Sequence, residues 1–245
     1  MMKKAYIPIL AAALVFLCGS AFAVDYDGLW FMGFNLNKDV FGDSNGKLVR
    51  QAINYAIDRQ HICRGIMGDS NTPTTVLSAG MEGHDDSVKG YQYSPTKAKA
   101  LLKKAGYSMK DKRLKGLVLL HTDGDKTIAI ARSIKNYLAS IGISLKLKQM
   151  PYEDQDGWDN ALSGGRNHLF LMGYKAPDPF DSGTGEARDA QGFLTDLFSS
   201  GGSANFFFLR DQKLDNLIDR DLAKEAALLL QEDPVTVNLF YITKL

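Results

Sequence analysis

The sequence predicts an α/β protein with an open, mostly parallel sheet flanked by helices. Three observations lead there. Between residues 117 and 174, short apolar runs alternate with helical periods in the order β-α-β-α-β, the pattern of crossover units. The helical periods carry one apolar stripe each, so each covers one face of a sheet. The composition, 45% hydrophobic and 23% charged over 245 residues, is that of a globular chain with enough apolar side chains for a core.

Taken in order, Leu29 to Leu36 is a short apolar run and reads as a strand buried on both faces. The turn-rich stretch 42–46 leads into a helix with Val49, Ala52, Ile53, Ala56 and Ile57 on one stripe. Asp58 is placed to cap a short helix reaching Met67. Residues 68–93, rich in Gly, Pro, Ser, Thr and Asp, read as a long surface loop. Ser94-Pro95 opens a helix with a capping hydroxyl and proline in the first turn, and Gly106 ends it. Strand 117–121, helix 125–141 and strand 143–148 follow. The last of these alternates with period two, as an edge strand with one wet face does. A helix over 152–162, a strand over 168–174, a short helix over 192–200, a mostly helical stretch over 214–230 and a final strand over 235–242 complete the chain. No internal repeat or low-complexity linker divides it, so one domain is expected.

Lys plus Arg number 29 and Asp plus Glu 28, which offers no global attraction for nucleic acid or anionic lipid. Residues 1–23 have the form of a secretory signal: Lys3 and Lys4, an apolar stretch, and Ala21-Phe22-Ala23 as a cleavage box. Cleavage after Ala23 would send residues 24–245 to the periplasm, or otherwise export them, with no stable membrane insertion. A lipoprotein signal through Cys18 ranks second, because Leu17 stands where a small residue is needed. Cys63 is then a lone thiol in an oxidising compartment, expected buried and inert.

The histidines at 61, 84, 121 and 168 show no metal-ligand spacing, and no cofactor is expected. Neither a nucleophile elbow nor a phosphate-binding loop is present, so the chain does not read as an enzyme. In an open parallel sheet, ligands gather at the carboxyl ends of the strands. Strand 168–174 delivers there a loop holding Tyr174, Lys175, Asp178 and Asp181 between prolines. The mixture suits a ligand with charged and backbone-like groups; an ordinary Asp/Pro turn is the competing reading. The run Asn205-Phe206-Phe207-Phe208 could form an aromatic platform, though a core wedge is the commoner fate of such a run. Trp30 and Trp158 read as core or interface anchors.

Several blocks resemble one family. Val49-Arg50-Gln51-Ala52, followed by Ala56-Ile57-Asp58-Arg59, is similar to a signature of the peptide/nickel class of extracytoplasmic solute-binding proteins, which serve ABC importers. Tyr93-Ser94-Pro95, with Lys97-Ala98, Leu101-Leu102 and Ala105-Gly106-Tyr107, resembles a second block. Gly173-Tyr174 with Asp178-Pro179 resembles a third, and Phe34-Asn35 the end of a lobe-crossing strand. The resemblance implies one lobe of a type II periplasmic-binding-protein fold, with residues 24–245 forming that single lobe and the portion that supplies the other lobe missing. It further implies reversible binding of a peptide or similar solute, an ABC permease as partner, and ligand contacts from Tyr174, Lys175, Asp178, Asp181 and Asn205. In peptide-binding members an Asp just after the aromatic-x-Ala stretch anchors the ligand's amino terminus. Here Pro177 takes that place and the carboxylate comes one residue later, at Asp178. Lys175 either neutralises Asp178 or meets a ligand carboxylate. The alternative is a non-catalytic interaction module or degenerate paralogue, which would dimerise or dock to a second lobe on another chain.

Overall fold

A computed structural model describes residues 26–68, 71–176 and 189–243. Among them are five strands: β1 (Tyr26–Phe34), β2 (Leu117–Thr122), β3 (Leu145–Met150), β4 (Leu169–Lys175) and β5 (Thr236–Thr243). The helices are α1 (Asp39–Gly42), α2 (Gly46–Ala56), α3 (Arg59–Ile62), α4 (Pro95–Lys104), α5 (Asp125–Ser140), α6 (Gln155–Ser163), α7 (Ala190–Phe198), α8 (Gln212–Asp219) and α9 (Ala223–Glu232). The strands form one sheet in the order β3-β2-β4-β1-β5. β2 runs parallel to β3 and β4, whereas β1 runs antiparallel to both β4 and β5. Four strands therefore point one way and β1 points against them.

The expected caps are in place. The Asp58 carboxylate accepts the His61 N–H at 3.0 Å, and Ser94 Oγ accepts the Lys97 N–H with Pro95 in the first turn. Past α3 the chain widens into a π-helical turn over Cys63–Met67, and Cys63 is buried. β3 is the sheet edge, and its alternating exposure leaves Lys146 outward, where charge discourages further strand pairing. The mostly helical stretch 214–230 consists of two helices, α8 and α9. Asp221 turns the chain with φ 56°, a left-handed conformation that Asp tolerates better than most residues. The break lets Leu214 and Ile218 of α8, and Ala226 and Leu230 of α9, all reach the same core.

Two apolar layers sandwich the sheet. On one face, α2, α4 and α5 pack Val49, Ile53, Ala98, Leu102, Ile134 and Leu138 against Phe34, Leu119 and Leu171. On the other, α6 to α9 and residues 76–81 cover Leu29, Phe31, Leu120 and Phe170. Phe207 is the wedge of this second layer, with its ring 5.4 Å from Phe170, 5.5 Å from Phe198 and 5.7 Å from Phe31. It sits in a turn rather than a strand, and Phe206 and Phe208 are only partly buried. At Gly33 an added Cβ would lie 2.2 Å from the Phe170 ring, so only glycine lets that ring cross β1.

Candidate ligand-binding rim

β2 and β4 pair only at Leu119 with Leu169 and at Leu120 with Phe170. Above that level β2 stays paired to β3 as far as Thr122, and β4 stays paired to β1 as far as Lys175. The sheet is thus parted at the carboxyl ends of its two central parallel strands. The crossovers explain the parting. α5 carries the chain from β2 to β3 over one face, and α6 carries it back past β2 to β4 over the other. Connections that diverge in this way mark a switch point, the general place for ligands in open α/β sheets.

Tyr174 stands on this rim. Its hydroxyl donates to Asp196 Oδ2 at 2.6 Å, and its ring tilts against Phe193 at 5.9 Å. Burial, and then the bond and charge of Asp196, push the phenol above its ordinary pKa, so it remains a neutral donor. Asp196 is held in turn by Ser203 Oγ at 3.1 Å. Nothing in the local sequence singles out Asp196, an ordinary polar position on α7; only the fold brings it to Tyr174. Lys175 is the exposed last residue of β4, paired with Gly28. Asp178 and Asp181 lie outside the described residues. Asn205 serves its own turn: Nδ2 donates to the Ser199 and Leu209 carbonyls, and Oδ1 accepts the Leu209 N–H.

Trp30 borders the rim on the opposite face. Its indole stacks on Phe240 at 5.6 Å and overlies Gly173, where an added Cβ would lie 2.6 Å from Nε1. The Gly173-Tyr174 pair therefore has a steric reason: the glycine makes room for Trp30 and the tyrosine points to the other layer. His121, buried below the rim, donates from Nδ1 to the Thr122 carbonyl at 2.8 Å.

The arginines of the 49–59 block do a different job. Arg50 is buried and donates from Nε to Pro234 O at 2.8 Å, to the Phe41 carbonyl, and from Nη2 to Asp233 Oδ1. Asn54 Nδ2 donates to Thr236 O at 3.0 Å, and Arg59 Nε to Asn238 O at 2.7 Å. Asn54 and Arg59 fasten α2 and α3 to the outer edge of β5, whose carbonyls have no strand partner on that side, and Arg50 holds the Asp233-Pro234 segment that leads into it. The block ties helices to the sheet and does not line the rim.

A cleft of about 540 Å³ lies at the other end of the strands, lined by Lys38, Asp43, Tyr107, Arg113 and His168 among others. Its strongest cation is already engaged: Arg113 pairs with Asp111 at 2.8 Å, donates to Gly106 O and stacks over Tyr107 at 4.2 Å.

Residues 12–190 match the model of bacterial extracellular solute-binding proteins, family 5 Middle. The chain belongs to that family. Family 5 relatives include the dipeptide-binding protein of Escherichia coli K12, 27% identical over 71% of this chain and 30% of its own length. The glutathione-binding protein GsiB of Salmonella paratyphi A is 30% identical over 79% of this chain and 35% of its own. These are binding proteins, not enzymes. Among solved structures, the periplasmic binding protein DppA of Helicobacter pylori in complex with the peptide STSA superposes with a TM-score of 0.75 at 23% identity, a likeness of fold. It covers 90% of this chain and 43% of that one. The chain thus spans about a third of the length of these curated family 5 relatives and under half of that solved chain. Among the described residues no helix is long and apolar enough to cross a membrane.

Proposed function

We propose that this family 5 chain is the solute-binding lobe of a peptide-type ABC import system, exported to the periplasm by its leader. It would bind a peptide-like solute reversibly at the parted rim of its sheet. The observation that carries this reading is the end of β2–β4 pairing at Leu120 and Phe170, beyond which β4 runs on past Gly173, paired with Trp30, to Tyr174. Parted strands leave backbone groups able to pair with an extended ligand, and the two aromatic residues flank them. In this proposal Tyr174 and Lys175 border the ligand, and Asp178 and Asp181 supply the carboxylates that meet its ammonium group. Asn205 acts by bracing the turn behind Asp196.

A two-lobed clamp encloses most of its ligand, whereas one lobe leaves about half of it wet. The chain alone is therefore expected to bind di- to pentapeptides with Kd of roughly millimolar or weaker. Calorimetry with a mixed peptide set tests this, with Asp178→Asn as the paired variant. Weak binding that Asp178→Asn abolishes supports the reading. Sub-micromolar binding to the monomer, or binding indifferent to Asp178, contradicts it.

A further inference from the structure

A near-neutral sequence folds here into a charge-separated molecule. Residues 95–115 hold eight cations and a single carboxylate, Asp111, in a chain whose net charge is +1. Helix α4 turns Ala98 and Leu102 to the core and leaves Lys97, Lys99, Lys103 and Lys104 exposed. Lys110, Lys112 and Arg113 follow on the turns behind it and are exposed as well. Asp111 is engaged by the Arg113 guanidinium at 2.8 Å and by the Arg113 N–H, so it neutralises none of the lysines. Among the described residues Lys99, Lys103, Lys104, Lys110 and Lys112 have no carboxylate partner.

The layer on the other face of the sheet has the opposite sign. Residues 189–233, which contain α7 to α9, hold nine carboxylates against four cations. Several of these acids serve the fold itself: Asp189 and Asp211 cap helices, Asp196 holds Tyr174, and Asp215 accepts from Ser200. They are poorly placed to receive the lysines of a second copy, which points to an anionic partner of another kind.

Two side chains indicate which kind. Tyr93 precedes α4 and Met109 follows it, 46% and 47% exposed, two of the four large hydrophobic residues exposed among the described residues. The Tyr93 ring packs edge-on against Tyr137 at 5.6 Å, and the Met109 backbone lies against Gly142, so both border the end of α5. Flexible lysines beside an exposed aromatic and an exposed apolar side chain suit a lipid headgroup layer, with phosphates outside and hydrocarbon beneath. An acidic protein surface is better met by fixed, bidentate arginines, and the one arginine of this segment is held by Asp111.

We propose that the α4 face is a docking surface for an anionic lipid bilayer. The free lysines of α4 and of the turns after it meet phosphate headgroups, and Tyr93 and Met109 enter the interface. The acidic layer then faces away from the membrane, and its repulsion sets the orientation. The contact is peripheral and does not depend on what the rim binds.

The test sediments the whole chain with vesicles of mixed phosphatidylglycerol and phosphatidylcholine, and with phosphatidylcholine vesicles alone, over a range of sodium chloride. Binding to the mixed vesicles that weakens with salt, and none to phosphatidylcholine, is expected. The triple variant Lys99→Gln, Lys103→Gln, Lys104→Gln should bind on the order of a hundredfold more weakly. A control with the same loss of charge on the acidic layer, Arg210→Gln, Lys213→Gln, Arg220→Gln, should bind like the parent; circular dichroism verifies that both remain folded. Equal loss in the two triple variants, equal binding to both vesicle types, or no binding to the mixed vesicles would overturn the proposal. So would retention on immobilised polyglutamate without vesicle binding, which would assign the face to an acidic protein, or salt-sensitive self-association in its place.

Discussion

Replacing Arg50 by Met separates two explanations of the most recognisable block in this sequence. One is an ion pair with Asp233; the other is satisfaction of buried carbonyls. Met preserves most of the aliphatic volume while removing all three contacts. Pro234 O and Phe41 O would lose their Arg50 donors, at about 1–3 kcal/mol each for an enclosed acceptor left unpaired. The Asp233 side chain is 38% exposed, so water screens its pair with Arg50 and the loss there is about 1 kcal/mol or less. The sum is roughly 2–7 kcal/mol, on the order of 10 °C in Tm for a chain of this size. Asp233→Asn, which removes only the charge, is expected to cost about 1 kcal/mol or less. Urea unfolding followed by far-ultraviolet circular dichroism measures both. Equal losses in the two variants, or a loss below about 1 kcal/mol in Arg50→Met, would refute the carbonyl argument.

Two further perturbations follow from particular contacts. His168 Nδ1 accepts the Val118 N–H at 3.1 Å, and burial, then the Lys38 charge, lower its pKa. The unfolded chain therefore takes up this proton first: stability is complete above the ordinary histidine value near 6.5 and falls as pH drops through the lowered folded value. His168→Asn, whose Oδ1 can accept the same N–H, should flatten that part of the pH profile in urea titrations between pH 5 and 8; an unchanged profile would count against the assignment. Phe207→Ala removes the ring that joins Phe31, Phe170 and Phe198, at about 3–5 kcal/mol. A calorimetric loss under about 1 kcal/mol would show that the 199–209 turn does not wedge the second layer.

The identity of most local elements is legible in residue order alone. Asp58 and Ser94 cap the helices that their side-chain chemistry predicts, and the Leu-Lys-Leu-Lys alternation places β3 at an edge. These features depend on neighbours within a few residues, where spacing alone sets the geometry. The mostly helical reading of 214–230 holds, but the break inside it, where Asp221 turns left-handed and both halves stay on one core, was not legible. On the candidate site, Tyr174 and Lys175 were legible as the end of an apolar strand, while Asp196 and the bed of Trp30 on Gly173 were not.

What the amino-acid order determined by itself is therefore the set of helices and strands, the neutral charge, and a family signature strong enough to name its class. Tertiary structure alone decided that β1 runs against its neighbours, that β2 and β4 part above Leu120, and that Arg50 and Arg59 hold Pro234 and Asn238, just before and within β5, from more than 170 residues away. The physical reason is range. Caps and amphipathic stripes are satisfied within a turn or two, but a strand edge or a buried guanidinium finds its partners only after the chain has closed loops that no local pattern encodes.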